Sequence, residues 1–189
     1  MRPELQCLEK APHVAHDWST LSHGWFCPGV HVKGKPKYVY VASSWRNQAY
    51  PSIIAGLQVA GIDHYDFRHP EPGNVGFSWH QVLRRISGEE ASSYLRDDTP
   101  VNDYLEMIEH PIAAEGFKLD IEAMRRADTF VLVLPCGKSA HLELGWAVGQ
   151  GKRTAILLED PMQPELMYKM VDKLCRTQQE LIDWLLEDR

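Results

Sequence analysis

Along the chain, apolar residues gather in short unbroken runs, and the stretches between them carry apolar positions at helical spacing. Tyr38-Val39-Tyr40-Val41-Ala42, Thr129 to Leu134 and Arg153 to Leu158 are runs of strand length with little polar alternation, the pattern of strands covered on both faces. Ile62 to Phe67 reads as a further strand, and Val171 to Leu174 as another. Gln48 to Ala60 is predicted as a helix stopped by Gly61. Gly116 to Ala127 is predicted as a helix whose Phe117, Ile121 and Met124 face the core, and Ser139 to Gln150 as a helix ended by Gly151. Weaker signals place helices near Trp79 to Ile86 and Val101 to Ile108, a short one after Pro164, and a terminal one from Gln178 to Leu186.

Strands alternating with helices imply a parallel sheet with right-handed crossovers and helices on both faces. The expected fold class is therefore α/β, a doubly wound parallel sheet of the Rossmann-like or flavodoxin-like three-layer kind. Ligands of such sheets sit beyond the carboxyl ends of the strands, so the loops Ala42 to Asn47, Phe67 to Gly76 and Pro135 to Ser139 are expected to converge. Residues 1–36 differ from this core: they form a loop-rich prefix of Cys, His, Trp, Pro and Gly with little periodicity. The α/β domain is expected to span 37–189, with an insertion at about 68–114 that begins in the turn His69-Pro70-Glu71-Pro72-Gly73-Asn74.

A length of 189 residues suits one ordinary domain, and 44% hydrophobic with 24% charged residues is a globular composition able to build a core. The formal net charge of -6 argues against a broad basic footprint for duplex nucleic acid or for an anionic membrane, which leaves small molecules as the expected partners. No apolar run approaches the roughly 18 residues of a membrane span. Glu4, Glu9, Lys10 and Asp17 interrupt the stretch where a signal peptide would be apolar, so a cytoplasmic location is expected. The four cysteines are too dispersed for a secreted disulfide scaffold and read as reduced thiols or metal ligands.

Candidate chemistry concentrates in Leu132-Val133-Leu134-Pro135-Cys136-Gly137-Lys138-Ser139-Ala140-His141-Leu142-Glu143-Leu144-Gly145-Trp146-Ala147. With Ser139 as N-cap, Glu143 lies about one turn into the following helix, where the dipole favours an ionised carboxylate, a group able to act as a nucleophile. The alternative is a solvated charge that merely complements the dipole. Asp120 and Asp128 sit eight residues apart. Asp128 suits the turn into the strand at Thr129, whereas Asp120, one residue before a core position, reads equally as a surface charge or as a group aimed at the strand ends.

Tyr40-Val41-Ala42-Ser43-Ser44-Trp45 after the first strand, Asp120 with Asp128, and Glu143-Leu144-Gly145 followed by Gly151-Lys152 together resemble the nucleoside 2-deoxyribosyltransferase family and its nucleotide N-glycosidase relatives. The resemblance covers Lys37 to Ala60 and Gly116 to about Leu158, is poor between them, and does not extend to the prefix. It implies a retaining displacement at the anomeric carbon of a nucleoside or nucleoside 5'-monophosphate, with Glu143 as nucleophile and a glutamyl-sugar intermediate that water or an acceptor base resolves. Under the same resemblance Tyr40 would position Glu143 or the sugar, Asp120 would hold sugar hydroxyls or pass a proton to the departing base, and Trp45 would wall the pocket. It also implies a homo-oligomer and no cofactor for catalysis.

The chain departs from the family where Gly137 and Lys138 stand in a turn that often carries another acid, which puts base recognition by that acid in doubt and tilts the reading toward hydrolysis. Ser43, Ser44, Arg46 and Ser139 could form a rim for a 5'-phosphate, with Gly137 beside them, and they equally read as ordinary helix-start residues. His141 reads as solvent-facing and stays outside the catalytic set. Phe77 and Trp79 either pack the insertion onto the sheet or stack a base. Cys7, His13, His16 and Cys27, spaced Cys-x5-His-x2-His-x10-Cys, make a candidate structural zinc site, with His23 and His31 as rival ligands and an unmetallated packed arm as the alternative. Cys136 and Cys175 are expected as core thiols. Two other functions stay open at this stage: a TIR-like hydrolase of NAD, and a sensor that holds a nucleotide without turning it over.

Overall fold

The computed structural model describes residues 36, 38–87 and 99–187. The prefix with Cys7, His13, His16 and Cys27 lies outside the described residues. Five strands, β1 (Val39–Ala42), β2 (His64–Tyr65), β3 (Thr129–Val133), β4 (Arg153–Leu157) and β5 (Lys173–Cys175), pair in parallel in the order β2-β1-β3-β4-β5. All residues of β1 and β3 are buried, as their unbroken apolar sequences require.

Side-chain alternation along these strands divides the core into two layers. Val39, Val41, Val131, Val133, Ala155 and Leu157 point to one face and are covered by α1 (Tyr50–Val59) and α6 (Gln178–Leu186) through Ile53, Ile54, Leu57, Leu181, Trp184 and Leu185. Tyr40, Ala42, Phe130, Leu132 and Ile156 point to the other face. There α4 (Pro111–Arg126) contributes Ala123 and Met124, and α5 (Lys138–Gly149) contributes Ala140, Leu144 and Ala147. The molecule is thus the expected doubly wound, three-layer α/β sandwich. Between β1 and β3 the strand order reverses, which opens a crevice at their carboxyl ends.

Local differences from the sequence-based expectations have physical causes. α1 starts at Tyr50 because the Asn47 side-chain oxygen accepts from the Ala49 N–H (2.9 Å), holding 47–49 in a turn. β2 keeps only two residues of the expected Ile62 to Phe67, since the Asp66 carboxylate accepts from the Tyr50 hydroxyl and the Arg68 N–H and bends the chain off the sheet edge. α4 starts five residues before Gly116, at Pro111 in its first turn, with His110 capping the Ile112 N–H through Nδ1 (3.2 Å). Phe117 does not face the core and is 67% exposed. Gly116 takes the inward place, because the Phe77 side chain lies so close that a Cβ there would sit 2.5 Å from the Phe77 Cβ and 2.6 Å from its ring.

Ser139 is not the cap of α5. Gly137 holds that position with extended backbone and no side-chain bond, and Ser139 is exposed in the first turn. The segment before α4 adds α2 (Trp79–Ser87) and α3 (Val101–Ile108), whose Val82, Leu83 and Met107 pack with Ala113 of α4, against Phe77, Trp79 and Ile112. Phe77 and Trp79 meet edge to face at 5.0 Å, so these aromatics serve burial.

Candidate active site

Within the layer on the α4 and α5 side of the sheet, the parallel register aligns three buried aromatic rings. Tyr40 stands level with Tyr65 on one neighbouring strand and with Phe130 on the other. Equivalent side chains on adjacent parallel strands are about one strand spacing apart, and the rings stack with centroids 5.3 Å and 4.9 Å from that of Tyr40. The tyrosine hydroxyls at the edge of this stack are each engaged by a carboxylate. Tyr65 donates to Asp120 Oδ1 (2.8 Å), and Tyr40 donates to the Glu143 carboxylate.

Both carboxylates come from inward-facing helix positions. Asp120 belongs to the stripe Ala113, Gly116, Ala123 and Met124 of α4, spaced at three, four and seven residues, and Glu143 lies on α5 between buried Ala140 and Leu144. Burial raises the Glu143 carboxyl from 4.5 to about 7, with the Asp120 charge adding to the rise and the Tyr40 bond opposing it. Asp120 is raised by burial from 3.8 to about 6 against the bond from Tyr65. The Tyr40 hydroxyl is held well above its usual range by burial and then by the charges of Glu143 and Asp120, so it stays a donor. Two carboxyl groups with titrations drawn toward neutrality are able to divide the roles of nucleophile and proton donor.

The loop after β1 carries Ser43, Ser44, Trp45 and Arg46. Ser43 donates its hydroxyl hydrogen to the Val133 carbonyl (2.9 Å) and accepts from Asn47 Nδ2 (3.0 Å), which ties the ends of β1 and β3 together at the switch point. Its oxygen has no second hydrogen to give to an anion. Ser44 accepts from the Arg46 N–H (3.1 Å), while Trp45 and Arg46 are exposed at the rim. Gly137 and Ser139 lie across the crevice at the exposed start of α5. Among the described residues no group of three or more His, Cys, Asp or Glu is arranged to hold a metal ion.

Sequence reasoning passed over Arg68 as a structural element of this loop. Its Nη2 donates to the carbonyls of Ser44 (2.7 Å), Trp45 (3.1 Å) and Asn47 (2.9 Å), and the guanidinium lies 4.6 Å from the centre of the Tyr50 ring. Arg68→Ala is expected to cost about 2–3 kcal/mol, read as a thermal midpoint lowered by about 5–10 °C. An unchanged midpoint would mean the loop holds itself.

Tyr65 was also missed, because its place opposite Tyr40 follows only from strand register. Cys136 is half-buried in the loop after β3, packed against the edge of the core, whereas Cys175 is fully buried. Asp128 takes the turn expected of it, accepting from the Thr129 hydroxyl (2.9 Å) at the opposite end of the sheet. Lys152 also lies at that end, donating to the Ala127 carbonyl.

Among the described residues no helix is long and apolar enough to cross a membrane. Neither protein-family models nor curated proteins match the chain. Similar solved structures include a CMP N-glycosidase from Clostridium botulinum (16% identity, 79% of this chain and 98% of that one, TM-score 0.42). Others are a 2-deoxyribosyltransferase from Bacillus psychrosaccharolyticus (14%, 80% and 98%, TM-score 0.45) and a conserved protein from Enterococcus faecalis V583 (14%, 79% and 96%, TM-score 0.46).

Proposed function

We propose that the chain cleaves the N-glycosidic bond of a nucleoside or nucleoside 5'-monophosphate through a glutamyl-sugar intermediate, with Glu143 as nucleophile and Asp120 as the group that manages the proton. The observation that carries this reading is the pair of half-buried carboxyls at the switch point, each held by a tyrosine hydroxyl. In the first step an oxygen of Glu143 attacks the anomeric carbon from the form in which Glu143 is ionised and the proton sits on Asp120. This is the minor form of the singly protonated pair, because burial and the Asp120 charge raise Glu143 further. The carbon–nitrogen bond breaks, its electron pair leaves with the base, and the base takes up a proton from the Asp120 carboxyl. In the second step Asp120 accepts a proton from water, whose oxygen displaces Glu143 and frees the sugar; an acceptor base in place of water gives exchange.

Incubating the protein with nucleosides, nucleoside 5'-monophosphates and NAD, with and without an acceptor base, and chromatographing for free base tests the reading. Base release from a nucleoside or its monophosphate is the expected result, and acceptor dependence separates transferase from hydrolase. Nicotinamide release from NAD alone would move the assignment to NAD hydrolysis. Saturable binding with no product would identify a sensor and end the enzymatic reading.

Within it, Tyr40→Phe keeps the ring stack but withdraws the hydrogen bond that holds the Glu143 titration down. Hydrogen bonds to charged groups contribute about 1.5–3 kcal/mol, so the acid limb of the kcat/KM profile is expected to move up by about one to two pH units. A profile that scales down without moving would show Tyr40 acting elsewhere.

A further inference from the structure

On the β3 and β4 side of Glu143, away from Asp120 and Tyr65, lies a second polar cluster that the proposed chemistry does not use. His141, in the first turns of α5, donates Nδ1–H to the Gly137 carbonyl (2.9 Å), and in that neutral ring form its Nε2 accepts from the Tyr168 hydroxyl (2.8 Å). The two rings are nearly parallel, 14° apart with centroids at 5.9 Å, and Tyr168 belongs to the 3-10 turn Leu166–Met170. Cys136 Sγ lies 3.5 Å from the same His141 nitrogen. Two residues past the end of β4, Glu159 has one carboxylate oxygen, Oε2, buried with no hydrogen-bond partner. Both Glu143 and Glu159 act electrostatically on the Cys136 thiol, which burial first and then these two charges push up to about 12. That thiol is therefore held in its neutral form.

A buried carboxylate oxygen without a donor is costly, by about 1–3 kcal/mol or more, and a ligand's donor that displaces the atoms covering it would relieve it. We propose that the His141–Tyr168 pair and Glu159 form the base-recognition side of the site, selecting a nucleobase that carries an exocyclic amino group over its oxo counterpart. This inference rests on the N-glycosidic reading. The planar pair offers a face for a flat ring, and Glu159 Oε2 offers an acceptor that matches an amino group and opposes a carbonyl oxygen.

The test compares kcat/KM for base release from matched cytosine and uracil substrates, and from matched adenine and hypoxanthine substrates, on one sugar. Wild type is expected to favour the amino-bearing member by roughly 100-fold. Glu159→Gln, whose amide is able to donate to a carbonyl, is expected to shrink that ratio below about tenfold. Tyr168→Ala is expected to raise KM for both members alike and leave the ratio in place. Should Glu159→Gln melt below the assay temperature, Glu159→Asp, which withdraws the carboxylate by one methylene, is expected to narrow the ratio in the same direction. A wild-type preference for oxo bases, or a ratio unchanged in the Glu159 variants, would overturn this inference while leaving base release standing. No release from any substrate would remove both.

Discussion

Glu143→Gln is expected to lower single-turnover base release by about 1,000-fold or more, equivalent to about 4 kcal/mol of transition-state stabilisation. The amide is nearly isosteric with the carboxylate and accepts the Tyr40 hydrogen bond, so the pocket keeps its shape. It carries no charge to meet the developing oxocarbenium ion and forms no ester with the sugar. The same change should leave substrate affinity within a few-fold, because ground-state binding draws on the loop and the aromatic walls. Mass spectrometry of quenched wild-type reactions should find the sugar attached to a peptide containing Glu143. If Glu143→Gln keeps base release within tenfold of wild type, Glu143 is not the nucleophile, and Asp120, the other carboxyl in the crevice, becomes the residue to change next.

Much of the architecture could be read along the chain because strands buried on both faces write themselves as unbroken apolar runs. β1, β3 and β4 were legible for that reason, and α6 was placed at Gln178 to Leu186. Where the fold depended on contacts between distant segments, the reading slipped. Phe117 was assigned to the core of α4, but the inward place belongs to Gly116, and nothing before Phe77 is seen against it would reveal that. Ser139 looked like a cap by composition, while the backbone turns at Gly137. The site shows the same division. Tyr40, Asp120 and Glu143 could be singled out from motifs, and the structure brings them into one crevice. Tyr65 and Arg68 could not be singled out, since their parts follow from strand register and from carbonyls 21 to 24 residues away. Ser43 looked available to an anion until the Val133 carbonyl, 90 residues on, was found to take its hydrogen.

Replacing both carboxylates, as Asp120→Asn with Glu143→Gln, should make the protein more stable than wild type above pH 7 and no more stable near pH 4. Folding raises Glu143 from 4.5 to about 7 and Asp120 from 3.8 to about 6, so between these values the folded chain binds more protons than the unfolded one. Stability must then fall as pH rises through that window, by up to about 1.4 kcal/mol per pH unit for each group. The repulsion between the two charges is already within the rise of Glu143, so the two rises together amount to about 6 kcal/mol at pH 8. For a domain of this size that corresponds to a gain of about 15–20 °C in the thermal midpoint at pH 8. Glu180, pulled down to about 2 by the Arg176 N–H and Lys173, acts with the opposite sign and only at lower pH, and it is common to both proteins. The difference between variant and wild type therefore isolates the crevice. Melting curves from pH 4 to pH 8 that stay parallel for the two proteins would mean that the carboxylates are not strained by burial, and the argument for tuned titration at this site would fall. Curves that diverge with rising pH would show a fold that gives up stability to hold two acids where they are most reactive.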